Sequence, residues 1–307
     1  MDIFIQQIIN GLVLGSIYAL VALGYTMVYG IMGLINFAHG EVVMIGAMVA
    51  LFVIKWLAAS GLPVPFIILI ALVAAVAVCM AVGFSIERIA YRPLRRAPKL
   101  APLITAIGVS IILQHLAMLV WGRNYHAFPP VIPVTSFDVF GARISGLQIA
   151  IIAIAALMMT GLIVLIHRTR LGRAMRATSE NPPIAQLMGV NINQIISSTF
   201  VIGSALAAVA GLMVSANYSI AHYYMGFMLG LKAFTAAVLG GIGNIAGAML
   251  GGILLGLIES LGAGYIGDLT GGFLGSHYQD IFAFFVLICV LIFRPSGLIG
   301  EKVSERA

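Results

Sequence analysis

The chain has 307 residues, 62% of them hydrophobic and only 8% charged. A soluble domain carries about 25% charged residues, so this composition excludes a soluble enzyme and describes an integral membrane protein. The net charge of +6 does not point to nucleic acid, because 12 of the 16 Lys and Arg residues lie in 87–101, in 167–180 and in the tail from Arg294. Basic residues concentrated between long apolar runs mark the cytoplasmic side of a bilayer. The opening MDIFIQQIINGLVLG has no basic n-region, which argues against a cleaved signal peptide. Cys79 and Cys289 lie inside apolar runs and read as packing residues, with no disulfide or metal implied.

In chain order, residues 8–30 form a first span, with Gly11 and Gly15 at the four-residue spacing that lets helices approach closely. GLINFAHGE (33–41) interrupts the apolar pattern and brings Asn36, His39 and Glu41 between two hydrophobic runs. Residues 42–57 resume as a span ending at Lys55 and Trp56. After Pro63 and Pro65, residues 66–86 span again and run into the basic ERIAYRPLRRAPK. There Arg88, Arg92, Arg95, Arg96 and Lys99 set topology and contact anionic lipid. Residues 101–121 cross outward. The proline-rich stretch 122–146, with Pro129, Pro130 and Pro133, reads as an outer loop ordered by turns. Residues 147–166 cross inward.

Residues 167–195 are a polar interruption opening with Arg168, Arg170, Arg173 and Arg176. They read as a basic loop carrying a short helix. Asn181 is placed to cap it and Pro182 occupies the first helical position. Ile184, Leu187 and Met188 form one apolar stripe, and Gly189 supplies a C-terminal stop. The stripe fits either a docking element or a helix lying on lipid headgroups.

Residues 196–216 cross outward with Gly203, Ala207 and Gly211 on one face. In the next apolar run, Gly240, Gly241, Gly243 and Asn244 form a GGIGN break. A short inbound piece, the break and an outbound helix from 246 to 262 bring the basic tail to the inner face, as the charge rule requires. Residues 264–280 are then an outer loop and 281–293 the last inbound span. The expected fold is an all-α polytopic membrane protein. It forms a single transmembrane domain over 1–307, with about eight membrane elements, some broken, at roughly 20 residues each.

Enzyme signals are absent from the motifs. No Walker A loop, HExxH or GxSxG occurs. Broken helices in a bilayer are tolerated where they are buried or line a cavity, and discontinuous helices are a mark of transporters. A permease is therefore the first reading. An ion-coupled secondary transporter and an intramembrane enzyme stay open.

YGIMGLINFAHGEVVMIGA (29–47), ERIAYRPLR (87–95) and KAFTAAVLGGIGNIAGAMLGG (232–252) resemble the LivH-type permeases of branched-chain amino-acid ABC importers. LGRAMRATSENPPIAQLMGVN (171–191) resembles the cytoplasmic coupling loop of that family. The similarity runs from about residue 8 to residue 299. It implies a multi-pass subunit of the bacterial inner membrane that heterodimerises with a paralogous permease. Its other partners would be two ATPase subunits, which hydrolyse ATP, and a periplasmic substrate-binding protein. No cofactor and no nucleic acid are implied. Asn181, Pro182, Ile184, Leu187, Met188 and Gly189 would then form the helix that docks on an ATPase. The alternative is a urea or short-amide permease of the same architecture, since such permeases share a similar NxAHGE stretch.

The candidate pathway residues are Asn36, His39, Glu41, Gly240, Gly241, Gly243 and Asn244. His39 and Glu41 could instead stabilise the break by hydrogen bonding, and GGIGN could be a plain turn between helices. Glu259 reads as a snorkelling surface carboxylate and Lys232 as an interfacial anchor.

Overall fold

The structure, a computed structural model, describes residues 2–95, 97–98, 100–130, 135–139, 141–269 and 279–300. The elements up to the basic interruption are α1 (Asp2–Met32), α2 (His39–Leu57), α3 (Val64–Ser85), α4 (Leu100–Trp121) and α5 (Gly146–Arg168). A π-helical turn, Ile86–Tyr91, and a 3-10 turn, Arg92–Leu94, prolong α3. Then follow α6 (Arg170–Glu180), α7 (Pro182–Leu187), α8 (Ile192–Tyr218), α9 (Met225–Gly240), α10 (Ile245–Leu269) and α11 (Gln279–Phe293).

Among the described residues, seven helices are long and apolar enough to cross a membrane: α1, α2, extended α3, α4, α5, α8 and α10. The apolar α9 and α11 are shorter. The fold is therefore all-α and polytopic. Small strands supplement it. β1 (His126–Ala127) pairs antiparallel with β4 (Ile220–Ala221), and β2 (Ser136–Val139) pairs with β3 (Ala142–Ser145).

The chain divides into two interleaved units. Unit one holds Met1–Thr26, Ile132–Met159 and Lys232–Ala307. Unit two holds Met27–Val131 and Thr160–Leu231. In unit two, α2, α3 and α8 pack against one another. Small residues permit this. A Cβ on Gly46 would lie 2.7 Å from the Ala208 Cα, and one on Gly211 would lie 2.8 Å from the Ala47 nitrogen. In unit one, α1 and α10 meet through glycines in the same way. A Cβ on Gly11 would lie 2.8 Å from the Leu257 Cα, and one on Gly15 2.7 Å from the Ile253 Cα. Both contacts follow from the four-residue spacing of small residues. Cys79 is a buried free thiol, as its apolar surroundings suggest.

Three local expectations are corrected. Residues 170–180 are the helix α6, not loop. The Thr169 hydroxyl accepts from the Gly172 N–H at 3.0 Å, and Gly172, Met175 and Thr178 form a buried face at a spacing of three. The outer stretch 122–146 holds the β2–β3 hairpin beyond its turns. Gly141, at φ 82°, makes the reversal, which glycine enters at no steric cost. The outer loop placed at 264–280 begins later, because α10 runs on to Leu269. Pro133, Arg96, Lys99 and the tail residues Lys302 and Arg306 lie outside the described residues.

The glycine contacts generate a test. Gly211→Val drives a side chain into the α2 backbone, and such overpacking costs about 1–3 kcal/mol. At Gly108 a Cβ meets nothing within 4 Å. Gly211→Val is expected to lower the unfolding temperature in detergent and Gly108→Ala to leave it unchanged; equal unfolding temperatures would refute this packing.

Candidate functional site

The break after α1 is a packed junction in unit two. Gly33, at φ 64°, ends α1 by donating to the Tyr29 carbonyl at 2.7 Å. The backbone N–H of His39 donates to the Asn36 carbonyl at 3.0 Å as α2 begins. Asn36, His39 and Glu41 are all buried. The Asn36 Oδ1 accepts from the Tyr91 hydroxyl at 3.1 Å, tying the break to the π-helical end of α3. The Glu41 Oε1 accepts from the Ser110 hydroxyl at 3.1 Å and from the Gln114 Nε2 at 2.7 Å, both on α4. Its Oε2 has no hydrogen-bond partner among the described residues and lies against Gly226. One carboxylate thus holds α2 to α4 with one oxygen and keeps the other unused. Ser110 and Gln114 went unnoticed in the sequence. Their signal is a pair of polar residues one turn apart in an otherwise apolar helix.

GGIGN lies in unit one and forms the turn between α9 and α10. Gly241 and Gly243 take φ of 112° and 96°, which only glycine adopts readily. Gly240 and Gly241 are buried and Gly243 is exposed. The Asn244 Oδ1 caps α10 by accepting from the Gly247 N–H at 3.0 Å, and its Nδ2 donates to the Ile299 carbonyl at 3.1 Å. The chain after α11 runs along this turn. Leu298 and Ile299 donate their N–H groups to the carbonyls of Leu239 and Gly240 at 2.9 and 3.0 Å. The turn and residues 298–299 therefore lie at the same membrane face. No sequence pattern announced this seat for the tail.

Unit one also holds a buried ionic cluster. The Lys232 ammonium donates to the Glu259 Oε1 at 2.6 Å and pairs with the Asp280 Oδ1 at 2.8 Å. The Tyr18 hydroxyl donates to the Glu259 Oε2 at 2.9 Å. The Glu259 side chain is 1% exposed. Glu259 is thus no snorkelling carboxylate, and Lys232 is no mere interfacial anchor. Each neutralises the other where a lone charge would be costly.

A second cluster sits in unit two beside the basic stretch. Glu87 is fully buried. It accepts from the Arg92 Nε and Nη2 at 3.2 and 3.0 Å, from Arg95, and from the Ser197 hydroxyl at 2.6 Å. Arg95 also donates to the Asn193 Oδ1. Burial pulls the Arg95 pKa below its ordinary value, while the Glu87 carboxylate opposes that shift. Arg92 and Arg95 do more than set topology: they tie the end of α3 to the start of α8.

The stretch from Asn181 to Gly189 has the local form its sequence dictates. The Asn181 Oδ1 accepts from the Ile184 N–H at 3.1 Å, Pro182 opens α7, and Gly189 closes it at φ 86°. Ala185 is buried and anchors the helix. Ile184, Leu187 and Met188 are 57, 86 and 80% exposed, so the apolar stripe faces outward. Among the described residues, no group of three or more His, Cys, Asp or Glu side chains is placed to hold a metal ion.

Comparison with known proteins places this geometry in context. Residues 7–291 match the family described as branched-chain amino acid transport system, permease component. The high-affinity branched-chain amino acid transport system permease protein BraD of Pseudomonas aeruginosa is 50% identical, over 99% of this chain and 98% of its own. The LivH protein of Escherichia coli, of the same description, is 45% identical over 99% and 97%. The probable branched-chain amino acid transport permease protein LivH of Methanocaldococcus jannaschii is 28% identical over 97% and 94%. No solved structure matches the chain.

The ionic cluster sets an order of mutational cost. Lys232→Met strands two carboxylates, whereas Glu259→Gln leaves the Lys232–Asp280 pair intact. Removing one partner of a buried pair costs about 3–5 kcal/mol. Lys232→Met is expected to reach that range and Glu259→Gln to fall below it, as read by thermal unfolding in detergent. The reverse order would contradict the cluster.

Proposed function

The chain belongs to the branched-chain amino acid transport permease family, and from that premise we propose how its parts serve import. It is the multi-pass inner-membrane permease subunit of an ABC importer, and ATP is hydrolysed on separate subunits. The cargo is branched-chain amino acids. The observation that carries this is 45–50% identity, over nearly the whole of both chains, to permeases described by that transport. The urea or amide alternative has no such support. Its further partners are ATPase subunits and a substrate-binding protein.

Two finer readings extend this. The partner permease is a paralogue forming a heterodimer with this chain; family resemblance supports it, and co-purification with one distinct permease tests it. The second reading makes α7 the element that docks on an ATPase. What supports it is a 6-residue helix, capped at its start by Asn181, that leaves Ile184, Leu187 and Met188 uncovered by the rest of the chain, as a stripe that a partner covers would be. Leu187→Asp with Met188→Asp would bury unpaired charge in that contact. The double variant is expected to insert normally and to lose ATPase assembly or the stimulation of hydrolysis by loaded binding protein. Intact assembly and stimulation would return α7 to the lipid surface.

Asn36, His39 and Glu41, with Gly240, Gly241, Gly243 and Asn244, are the proposed pathway residues. The burial of the first three and the unused Glu41 oxygen support the reading. Glu41→Gln keeps an acceptor for Ser110 and Gln114 while removing the charge. It is expected to unfold at the wild-type temperature and to lose about tenfold or more in leucine uptake, the effect of roughly 1.4 kcal/mol. Wild-type uptake would confine Glu41 to a structural role.

A further inference from the structure

We propose that unit two carries a binding site for the phosphate of an anionic phospholipid, where α3, α6 and α8 converge beside the basic stretch. A cavity of about 740 Å³ opens there. Its polar lining includes Arg88, Arg92, Asn193 and Ser198, and its apolar wall includes Phe84 and Val201. Among the described residues, no carboxylate lines it.

The charge balance at this place is positive. Arg92 and Arg95 share the single carboxylate of Glu87, which leaves one positive charge over. Arg88 adds another and is exposed. The fork of Arg92 is held in position by Glu87 and by the Ser197 hydroxyl at 2.9 Å, so a donor at the cavity wall is already fixed. With Nε and Nη2 taken by Glu87 and Ser197, Arg92 keeps its Nη1, beside the exposed guanidinium of Arg88, to donate to a phosphate.

The apolar side of the ligand is read from α3. Val73 and Phe84 are 61 and 44% exposed and lie on one side of the helix, about 16 Å apart at 1.5 Å per residue, within reach of one acyl chain. Arg88 follows Phe84 by one turn on the same line. Extended α3 is the most apolar of the seven spans, and like α4 and α5 it leaves most of its apolar window unburied. A stripe of exposed apolar side chains that ends in a guanidinium matches a lipid, with acyl chain along the stripe and phosphate at its end. A soluble phosphate would use the guanidinium and leave the stripe unexplained. A choline lipid would bring its own cation against Arg88.

The position gives the site a consequence. Leu171, at the start of α6, and Asn191, which caps α8, also line the cavity. These residues flank α7 in the chain, so a bound lipid braces the segments entering and leaving that helix.

The test is native mass spectrometry of the assembled importer in detergent. It is offered dioleoylphosphatidylglycerol, dioleoylphosphatidylcholine, or dioleoylphosphatidylglycerol with excess inorganic phosphate. Retained phosphatidylglycerol is expected on the wild type, with phosphatidylcholine lost and phosphate failing to compete. Arg88→Gln should cut retention about fivefold, the effect of one basic residue at an anionic surface. Ser198→Phe, which fills the cavity and alters no charge, should cut it similarly. Arg170→Gln, an exposed arginine outside the cavity, should leave it unchanged. Wild-type retention in either Arg88→Gln or Ser198→Phe, a fivefold loss in Arg170→Gln, retention of phosphatidylcholine equal to that of phosphatidylglycerol, or displacement by phosphate alone would each overturn the proposal.

Discussion

A backbone that leaves its helix within an apolar run must find its hydrogen bonds inside the protein, because lipid offers none. This chain does so twice, by different means. After α1 the break is closed by the Asn36 carbonyl and Tyr91, and glycines at 40, 226 and 230 let α2 and α9 come together. After α9 the freed carbonyls of Leu239 and Gly240 are met by N–H groups of the chain end. In each case small residues remove the side-chain bulk and a distant segment supplies the partner. Glycine at these places is demanded by neighbouring backbone as much as by its own dihedrals.

The same constraint governs charge. Three carboxylates, Glu41, Glu87 and Glu259, are fully buried, and each is treated differently. Glu259 meets an ammonium and a phenol. Glu87 meets two guanidinium groups and a hydroxyl. Glu41 meets only a hydroxyl and an amide, and one of its oxygens is left over. The first two are neutralised and fasten helices together. Glu41 alone of the three has hydrogen bonds without a compensating cation.

What the sequence made legible was local or periodic. The cap and stop of α7 sit three residues from their partners, and the small-residue stripes repeat every four, so both can be read from spacing alone. The seven long spans follow from length and apolarity. The helicity of α6 was also written locally, in Thr169 and the threefold spacing of Gly172, Met175 and Thr178, but four arginines disguised it as loop. What stayed hidden depends on segments far apart. Tyr18 and Glu259 are separated by 241 positions, and Glu87 and Ser197 by 110. Lone charges in apolar runs therefore looked like surface residues, since periodicity says nothing about what faces them. Of the candidate site, the NFAHGE and GGIGN breaks were visible as interruptions, while Ser110, Gln114 and the tail seat were not.

Within unit two these contacts form a continuous route. The exposed stripe of α7 is rooted by the buried Ala185, and both α6 and α7 pack on α8. The first turns of α8 are held to the end of α3 by the Glu87 cluster, through Ser197 and Asn193. Further along, α8 lies backbone to backbone on α2 at Gly46–Ala208 and at Gly211. The first turn of α2 carries His39 and Glu41. Close-packed helices with no intervening side chains have little room to absorb a displacement by local rearrangement. These contacts join α7 to the start of α2 through packed helices, with the Glu87 cluster between them.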